Sequence, residues 1–183
     1  MNRIMINFLK RFYWDLSNKA ERQLYTEFFL RYLPAHSGIL LRRKYYCKKF
    51  QKSGESVNIL AGIFIVHPER IECGNNMSFG IANYIQAGGG LKIGHNVMFG
   101  PYVKIWTQTH NFERKNIPMR EQGYSYNPVE IGDNVWIGAN SFLMPGVKIE
   151  SNSIISACSV VGAKSYPEGI ILAGNPARKI GQR

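Results

Sequence analysis

A six-residue repeat of large apolar side chains constrains this 183-residue chain more than any other feature. The clearest members of the repeat are Ile93, Phe99, Ile105, Ile131, Ile137, Leu143, Ile149, Ile155 and Val161. Four places after each stands a small or β-branched residue, namely Val97, Val103, Thr109, Val135, Ser141, Val147, Ser153, Ser159 and Ser165. A period of six matches neither the 3.6-residue helix nor the two-residue alternation of a simple strand. It predicts an all-β parallel coil in which three hexapeptides close a triangular turn, with the large side chains inside.

Glycine commonly follows the large residue by one place. The positions are Gly94, Gly100, Gly132, Gly138 and Gly162, and upstream Gly74 and Gly80. Glycine adopts backbone conformations that other residues avoid. We therefore expect it to relieve the backbone at each corner of the triangle.

Two interruptions divide the repeat. Cys73, Phe79 and Ile85 keep the six-residue step, but eight residues separate Ile85 from Ile93 and include Gly88–Gly90, which predicts a bulge. Twenty-six residues separate Ile105 from Ile131. Residues 110–130 are therefore expected to leave the coil as a long loop, and long loops on regular scaffolds are commonly functional.

The repeat predicts three segments in the chain. The β-helix is expected over residues 57–172, with Val57–Val66 as an irregular first coil. A C-terminal tail occupies residues 173–183. Residues 1–56 form an N-terminal arm, which we expect to be helical because apolar residues recur there at steps of four: Ile4, Phe8 and Phe12, then Leu24, Phe28 and Tyr32.

The arm carries most of the formal net charge of +11. Residues 1–52 hold twelve Lys/Arg against three acids, so only two positive charges belong to the rest of the chain. The main body is therefore not basic, and no nucleic-acid partner is predicted. Two interpretations of the arm remain open: a cap that hides the open end of the coil, which we favour, and a peripheral contact with a membrane.

The three cysteines, Cys47, Cys73 and Cys158, include no CxxC pair and are odd in number. This pattern argues against a disulfide framework and favours a reducing cytoplasm. The first residues are not interpreted as a signal peptide, because charges interrupt their apolar run. The expected location is cytoplasmic, at the inner face of the membrane if the arm binds lipid.

Three segments resemble the hexapeptide-repeat acyltransferases. Residues 131–180 are similar to the repeat region and closing tail of that family, GPYVKIWTQTHNF (100–112) to the catalytic segment, and FGIANY (79–84) to the acceptor segment of its sugar and polysaccharide O-acetyltransferase branch. That branch includes the maltose and galactoside acetyltransferases. The resemblance implies a left-handed parallel β-helix, acetyl-CoA as co-substrate, and a homotrimer with active sites between subunits.

The resemblance also implies the catalytic residues. His110 matches the catalytic histidine of the family, and histidine suits a general base because its unperturbed pKa is near 6.5. Asn83 matches the acceptor-site asparagine. Counting faces from Cys73 puts Asn83 and His110 at different corners, about 15 Å or more apart, so only two subunits side by side could bring them together. Cys158 has no histidine nearby in sequence, and direct transfer without an acyl-enzyme is expected.

The resemblance places acetyl-CoA along the last coils. Trp136 and Ala139 match positions that line the pantetheine groove, and Ala157 matches one whose backbone contacts the cofactor. Gly162 stands where the family has threonine, and Lys164 lies one place beyond the expected lysine. Arg178 matches a phosphate-binding arginine. The histidine pair that binds zinc in some β-helix enzymes is missing from this sequence, so no metal is predicted.

These features favour an O-acetyltransferase that modifies a sugar hydroxyl of a bacterial surface polysaccharide or its precursor, with His110 as general base. Two alternatives remain open. The first is N-acetylation of an amino-sugar nucleotide, because a free amine needs less help from a base. The second is a non-catalytic β-helix that serves as a binding or scaffold module.

Overall fold

The computed structural model describes residues 3–183 as three helices followed by a triangular prism of short strands. The helices are α1 (Arg3–Ser17), α2 (Lys19–Tyr32) and α3 (Ala35–Cys47). Two single turns of 3-10 helix lie at Pro68–Arg70 and Met119–Glu121. No helix in this described part of the chain is long and apolar enough to span a bilayer.

Three parallel sheets form the faces of the prism. Face A contains β1 (Lys52–Ser53), β4 (Ile71–Cys73), β7 (Leu91–Ile93), β12 (Val129–Ile131), β15 (Lys148–Ile149) and β18 (Ser165–Tyr166). Face B contains β2 (Asn58–Ile59), β5 (Ser78–Phe79), β8 (Met98–Phe99), β13 (Trp136–Ile137), β16 (Ile154–Ile155), β19 (Ile170–Gly174) and the antiparallel β20 (Ala177–Gln182). Face C contains β3 (Phe64–Val66), β6 (Tyr84–Gln86), β9 (Lys104–Trp106), β14 (Phe142–Leu143) and β17 (Val160–Val161).

The strands stack as a left-handed parallel β-helix of about six coils, which confirms the predicted fold. Coils 1 to 3 are β1–β3, β4–β6 and β7–β9, coils 4 and 5 are β12–β14 and β15–β17, and coil 6 is β18–β19. The first strand begins at Lys52, five residues before the predicted start at 57. Residues 173–183, the predicted C-terminal tail, contain β20, which pairs with β19 and adds an antiparallel strand to face B.

The interior confirms the six-residue repeat. Cys73 pairs with Ile93, and Ile85 with Ile105, so the register survives the Gly88–Gly90 bulge. All twelve large residues of the repeat are buried. Burial of this apolar ladder, at roughly 25 cal/mol per Å², is the main force that holds one coil on the next.

Two small-residue positions were predicted wrongly. Thr109 is exposed in the strand that leaves the prism, and Thr107 occupies the buried position instead. Ser165 is exposed, and Tyr166 enters the core opposite Ile149. Both departures occur where the chain stops repeating at six. Thr109 has already left the prism in β10, and at Ser165 a shift of one residue turns the side chain to the other face of the strand.

The corner glycines, apart from Gly162, serve close approach rather than backbone strain, which corrects the sequence interpretation. A Cβ on Gly74 would lie 2.8 Å from the carbonyl carbon of Gly94 in the next coil. The left-handed conformations fall two places later, at Asn76, Asn96, Asn134 and Asn152, with φ between 55° and 62°. Asparagine tolerates this conformation, and these side chains also hydrogen-bond from coil to coil, as in the 2.7 Å bond from Asn134 Nδ2 to Asn152 Oδ1.

The outer sides of two faces differ in chemistry. Face A carries a charge ladder that alternates in sign along paired strands: Lys52, Glu72, Lys92, Glu130 and Lys148. Face C carries an aromatic ladder, Phe64, Tyr84, Trp106 and Phe142, whose successive ring centroids lie 4.9, 6.1 and 6.2 Å apart. Charged pairs suit a face in water, whereas a column of partly exposed aromatic rings is typical of a contact surface.

Helix α3 closes the first coil, as the cap hypothesis expects. The side chain of Arg42 is buried, and its Nε donates a 2.9 Å hydrogen bond to the carbonyl oxygen of Ile59 on β2. Its Nη1 donates to the carbonyls of Leu30 and Leu33 at 2.9 and 2.7 Å. One guanidinium thus satisfies three carbonyl groups that the end of a helix and the end of the prism leave unpaired.

Replacing Arg42 with methionine should lower the free energy of unfolding by about 3 kcal/mol, because three buried carbonyls would lose their donor. Urea denaturation monitored by circular dichroism measures this. Arg43→Met, one residue along the same helix, is the matched control and should change stability by less than about 1 kcal/mol. Equal midpoints for the two variants would contradict a capping role for Arg42.

Candidate active site

The loop predicted at residues 110–130 begins as a β-hairpin that leaves the prism after face C. Strand β10 (Gln108–His110) pairs antiparallel with β11 (Tyr124–Tyr126), and the chain rejoins face A at Val129. His110 is exposed at the end of β10, opposite Tyr124. The two ring centroids lie 4.2 Å apart at an angle of 40°, so the tyrosine ring supports the imidazole.

The base of this hairpin is fixed by a buried polar network that the sequence analysis missed. Thr107 Oγ1 donates to the carbonyl of Gln86 at 2.9 Å and accepts from the backbone N–H of Gly89 at 2.7 Å. The Gln86 side chain accepts from the backbone N–H of Gly88 at 3.0 Å. A Cβ on Gly89 would clash with the carbonyl of Thr107. The glycine run therefore lets the bulge approach the hairpin closely and hold it in place.

The tip of the loop is organised around Gln122, which is also buried. Its Nε2 donates to the carbonyls of Arg114 and Ile117 at 2.7 and 3.2 Å, and its Oε1 accepts from the N–H of Arg114 at 3.0 Å. Asn111 Nδ2 donates to the Gln122 carbonyl at 3.0 Å. This long loop is thus internally hydrogen-bonded rather than loose, and it gives His110 a defined setting.

Asn83 lies at the corner where the chain passes from face B to face C, the B–C corner, in coil 2. Its side chain is buried, and its Nδ2 donates to the carbonyl of Gly100 at 2.8 Å. Its Oδ1 is buried without a hydrogen-bond partner among residues 3–183. A buried unpaired oxygen costs roughly 1–3 kcal/mol, and in the single chain this Oδ1 is closed off from solvent. Its predicted role in acceptor binding stays a prediction.

The residues predicted to bind acetyl-CoA fall on two different corners. Ala139 and Ala157 lie at the B–C corner of coils 4 and 5, beside Trp136, which is 50% exposed on the outside of face B. Gly162 and Lys164 lie at the corner between faces C and A, the C–A corner, where the hairpin of His110 also emerges. Arg178 is exposed on β20, beyond coil 6. The structure therefore does not bring this set together within one chain.

On both corners the predicted site residues can be ordered by the coil of the prism at which they lie. On the B–C corner, Asn83 in coil 2 precedes Ala139 and Ala157 in coils 4 and 5. On the C–A corner, His110 follows coil 3, and Lys164 follows coil 5. Coils are about 4.8 Å apart, so His110 is at a level between the predicted acceptor residue and the predicted cofactor residues.

Comparisons with known proteins agree with this fold. The family pattern described as "Bacterial transferase hexapeptide (six repeats)" matches residues 128–163. A Saccharomyces cerevisiae protein named as a candidate acetyltransferase is 39% identical over 141 residues, which are 73% of this chain and 70% of that protein. Galactoside O-acetyltransferase of Escherichia coli is 32% identical over 132 residues, 72% of this chain and 63% of the enzyme.

Solved structures agree as well. A maltose O-acetyltransferase from Clostridium difficile superposes with a TM-score of 0.76 and 26% identity, over 91% of this chain and 90% of that one. A galactoside acetyltransferase in complex with coenzyme A superposes with a TM-score of 0.69 and 25% identity, over 86% and 78% of the two chains. A prism built from hexapeptide repeats is the fold that these transferases share with the chain. The chain belongs to the hexapeptide-repeat acetyltransferase family.

Proposed function

We propose that the chain is an acetyl-CoA-dependent O-acetyltransferase that modifies a sugar hydroxyl of a bacterial surface polysaccharide or its precursor. One observation carries the proposal: the predicted acceptor, catalytic and cofactor residues follow one order along the prism axis when the B–C and C–A corners are compared. When the B–C corner of one subunit faces the C–A corner of the next, Asn83, His110 and the cofactor residues form one continuous groove. The names of the galactoside and maltose O-acetyltransferase relatives support a sugar hydroxyl as the acceptor.

The groove requires a homotrimer in this proposal. If each subunit presents its C–A corner to the B–C corner of its neighbour, a ring of three turns every face C toward the symmetry axis. The aromatic ladder on face C is the apolar surface that such packing needs, and the charge ladder on face A is then left in water. The exterior of the prism thus supports the assembly independently of the site residues.

The proposed chemistry is direct transfer. His110 accepts the proton of the sugar hydroxyl while the hydroxyl oxygen attacks the thioester carbonyl. His110 then donates this proton to the sulfur as the carbon–sulfur bond breaks. Coenzyme A leaves as the free thiol. Cys158 is exposed at the B–C corner of coil 5, about two coils from the level of His110, so it has no base at hand and takes no part.

Acetyl-CoA and a panel of acceptors, with thiol release as the readout, test this function. The panel contains galactosides, maltose and glucosides, lipid-linked saccharides and amino-sugar nucleotides. Release with a hydroxyl acceptor is expected. Release with amino sugars alone would replace O-transfer by N-transfer, and no binding of coenzyme A by calorimetry would favour the scaffold alternative.

Replacing Arg178 with alanine should raise the KM for acetyl-CoA about tenfold and leave kcat nearly unchanged, because a phosphate contact is made equally in the ground and transition states. Steady-state kinetics with a saturating acceptor measure both values. Arg22→Ala, on α2 far from the groove, is the control and should match the wild type. A fall in kcat at constant KM would contradict a phosphate-binding role.

A further inference from the structure

We propose that the outer side of α1 is a docking surface for an anionic phospholipid membrane. This outer arc consists of Tyr13 and Trp14 together with Lys10, and Leu9 lies at its edge. Tyr13 is 76% exposed and Trp14 56%, and Leu9 is about half exposed. Such exposure on one helix exceeds what scattered surface apolar residues produce.

The arc is the side of α1 that α2 does not cover. Phe12 contacts the ring of Tyr25 on α2 with centroids 5.5 Å apart, and Asp15 accepts a 3.0 Å hydrogen bond from the Tyr25 hydroxyl. At 100° per residue, Lys10, Tyr13 and Trp14 lie on the opposite side of the helix from Phe12 and Asp15, and Leu9 lies at the boundary between the two sides. Phe12 and Asp15 thus face α2, and the outer arc has no partner among the residues that the structure describes.

A separate apolar surface on α2 has a different explanation. Phe28 and Phe29 line an open groove of about 600 Å³ that also includes Phe64. Phe64 is the first member of the aromatic ladder, so this groove continues the face assigned above to contacts between subunits. The outer arc of α1 does not line that groove, and the trimer proposal does not explain it.

The chemistry of the arc selects the membrane as its partner. Trp and Tyr rings interleaved with lysine are typical of helices that lie in a bilayer interface, where rings enter the headgroup region and cations meet lipid phosphates. Lys10, Arg11 and Lys19 are exposed around α1, whereas Asp15 is engaged with Tyr25. A second copy of the arc would bring two Lys10 side chains together, so an anionic surface fits better than self-association.

The proposed trimer strengthens this inference, although one chain already presents the arc. Cyclic symmetry places all three α1 helices at the same end of the assembly, so a flat surface can bind them together with increased avidity. Coil 2 is near that end, and coil 6 is far from it. The predicted acceptor residue Asn83 is then on the membrane side of the groove, which specifies a lipid-anchored saccharide as the acceptor class.

Vesicle flotation tests the surface with the full chain. Vesicles of phosphatidylcholine with phosphatidylglycerol should carry the protein, and pure phosphatidylcholine vesicles or high salt should reduce the bound fraction. Leu9→Glu/Tyr13→Glu should lower the partition coefficient at least about tenfold. Met119→Glu introduces a glutamate at an exposed apolar site on the loop and should bind like the wild type.

Three results would overturn the inference. In the first, the wild-type protein does not float, and in the second, the double variant floats as well as the wild type. In the third, the double variant differs from the wild type only in forming a smaller assembly, as measured by light scattering. The last result would assign the arc to a second copy. Thiol release with a lipid-linked saccharide and with soluble acceptors is measured on the same samples. Flotation without turnover would overturn only the proposed function, and turnover without flotation would overturn only the docking surface.

Discussion

Replacing His110 with alanine is expected to lower turnover about 10²- to 10⁴-fold, the usual contribution of a positioned general base. The imidazole is exposed, and its support comes from the Tyr124 ring and from the pairing of β10 with β11. Truncating it removes no core contact, so the fold and the assembly should remain intact. Because the proton is taken only as the hydroxyl attacks, kcat and kcat/KM should fall together.

The control for this prediction is His36→Ala on α3, another exposed histidine, which should leave turnover unchanged. Tyr124→Ala adds a second readout, because loss of the supporting ring should reduce turnover while His110 is still present. Circular dichroism and light scattering verify that each variant is folded and assembled. Near wild-type turnover in the His110 variant would remove the histidine from the mechanism.

Replacing Trp106 with glutamate is expected to dissociate the assembly into single chains of 20.8 kDa and to abolish turnover while His110 remains intact. Trp106 stands between Tyr84 and Phe142 on the aromatic ladder, and it is 37% exposed in the single chain. In the proposed trimer three carboxylates would meet near the symmetry axis, and burying unpaired charges is strongly unfavourable. Light scattering and thiol release measure the two effects.

Asn58→Glu places the same charge on the outside of face B and should leave mass and turnover unchanged. An active monomer with the Trp106 substitution would refute the shared site. Mixing subunits gives an independent test. When His110→Ala and Asn83→Ser chains are unfolded and refolded together, random trimers should recover about a quarter of wild-type sites, because each mixed trimer contains one interface with both native residues.

Serine is chosen at position 83 because the fold already accepts it at equivalent corners. Ser141 and Ser159 occupy the same inward position in coils 4 and 5, and each donates its hydroxyl to the carbonyl of Ser156, at 2.9 and 2.7 Å. The substitution should therefore preserve the corner and remove only the carboxamide. No recovery on mixing, with both variants correctly assembled, would separate Asn83 from the proposed groove.

The interior of the prism was predictable because the repeat encodes it directly. A step of six assigns Ile131, Ile137 and Leu143 to three successive faces, and the structure pairs them with Ile93, Phe99 and Ile105. The left-handed sense of the coil, by contrast, is not specified by the six-residue repeat. It followed from a resemblance, since a period of six is compatible with either hand.

The setting of the site was less predictable because it depends on contacts between distant segments. Thr107, Gln86 and Gln122 form hydrogen bonds with groups that are adjacent only after the chain has folded. A signal was nevertheless present: Gln86 and Thr107 are polar residues close to interior positions of the repeat, where an apolar or small residue is usual. The correction from Thr109 to Thr107 has the same origin, because the hairpin begins two residues before the expected loop.

Because the coils stack at a constant spacing, the number of coils sets the length of the proposed groove. Each corner contacts the same corner one coil away, as Gly74 contacts Gly94. Inserting one eighteen-residue repeat between coil 3 and coil 4 would leave these local contacts unchanged and lengthen the prism by about 4.8 Å. Evolution could thus adjust the spacing between the two ends of the proposed groove in fixed increments, without redesigning either end.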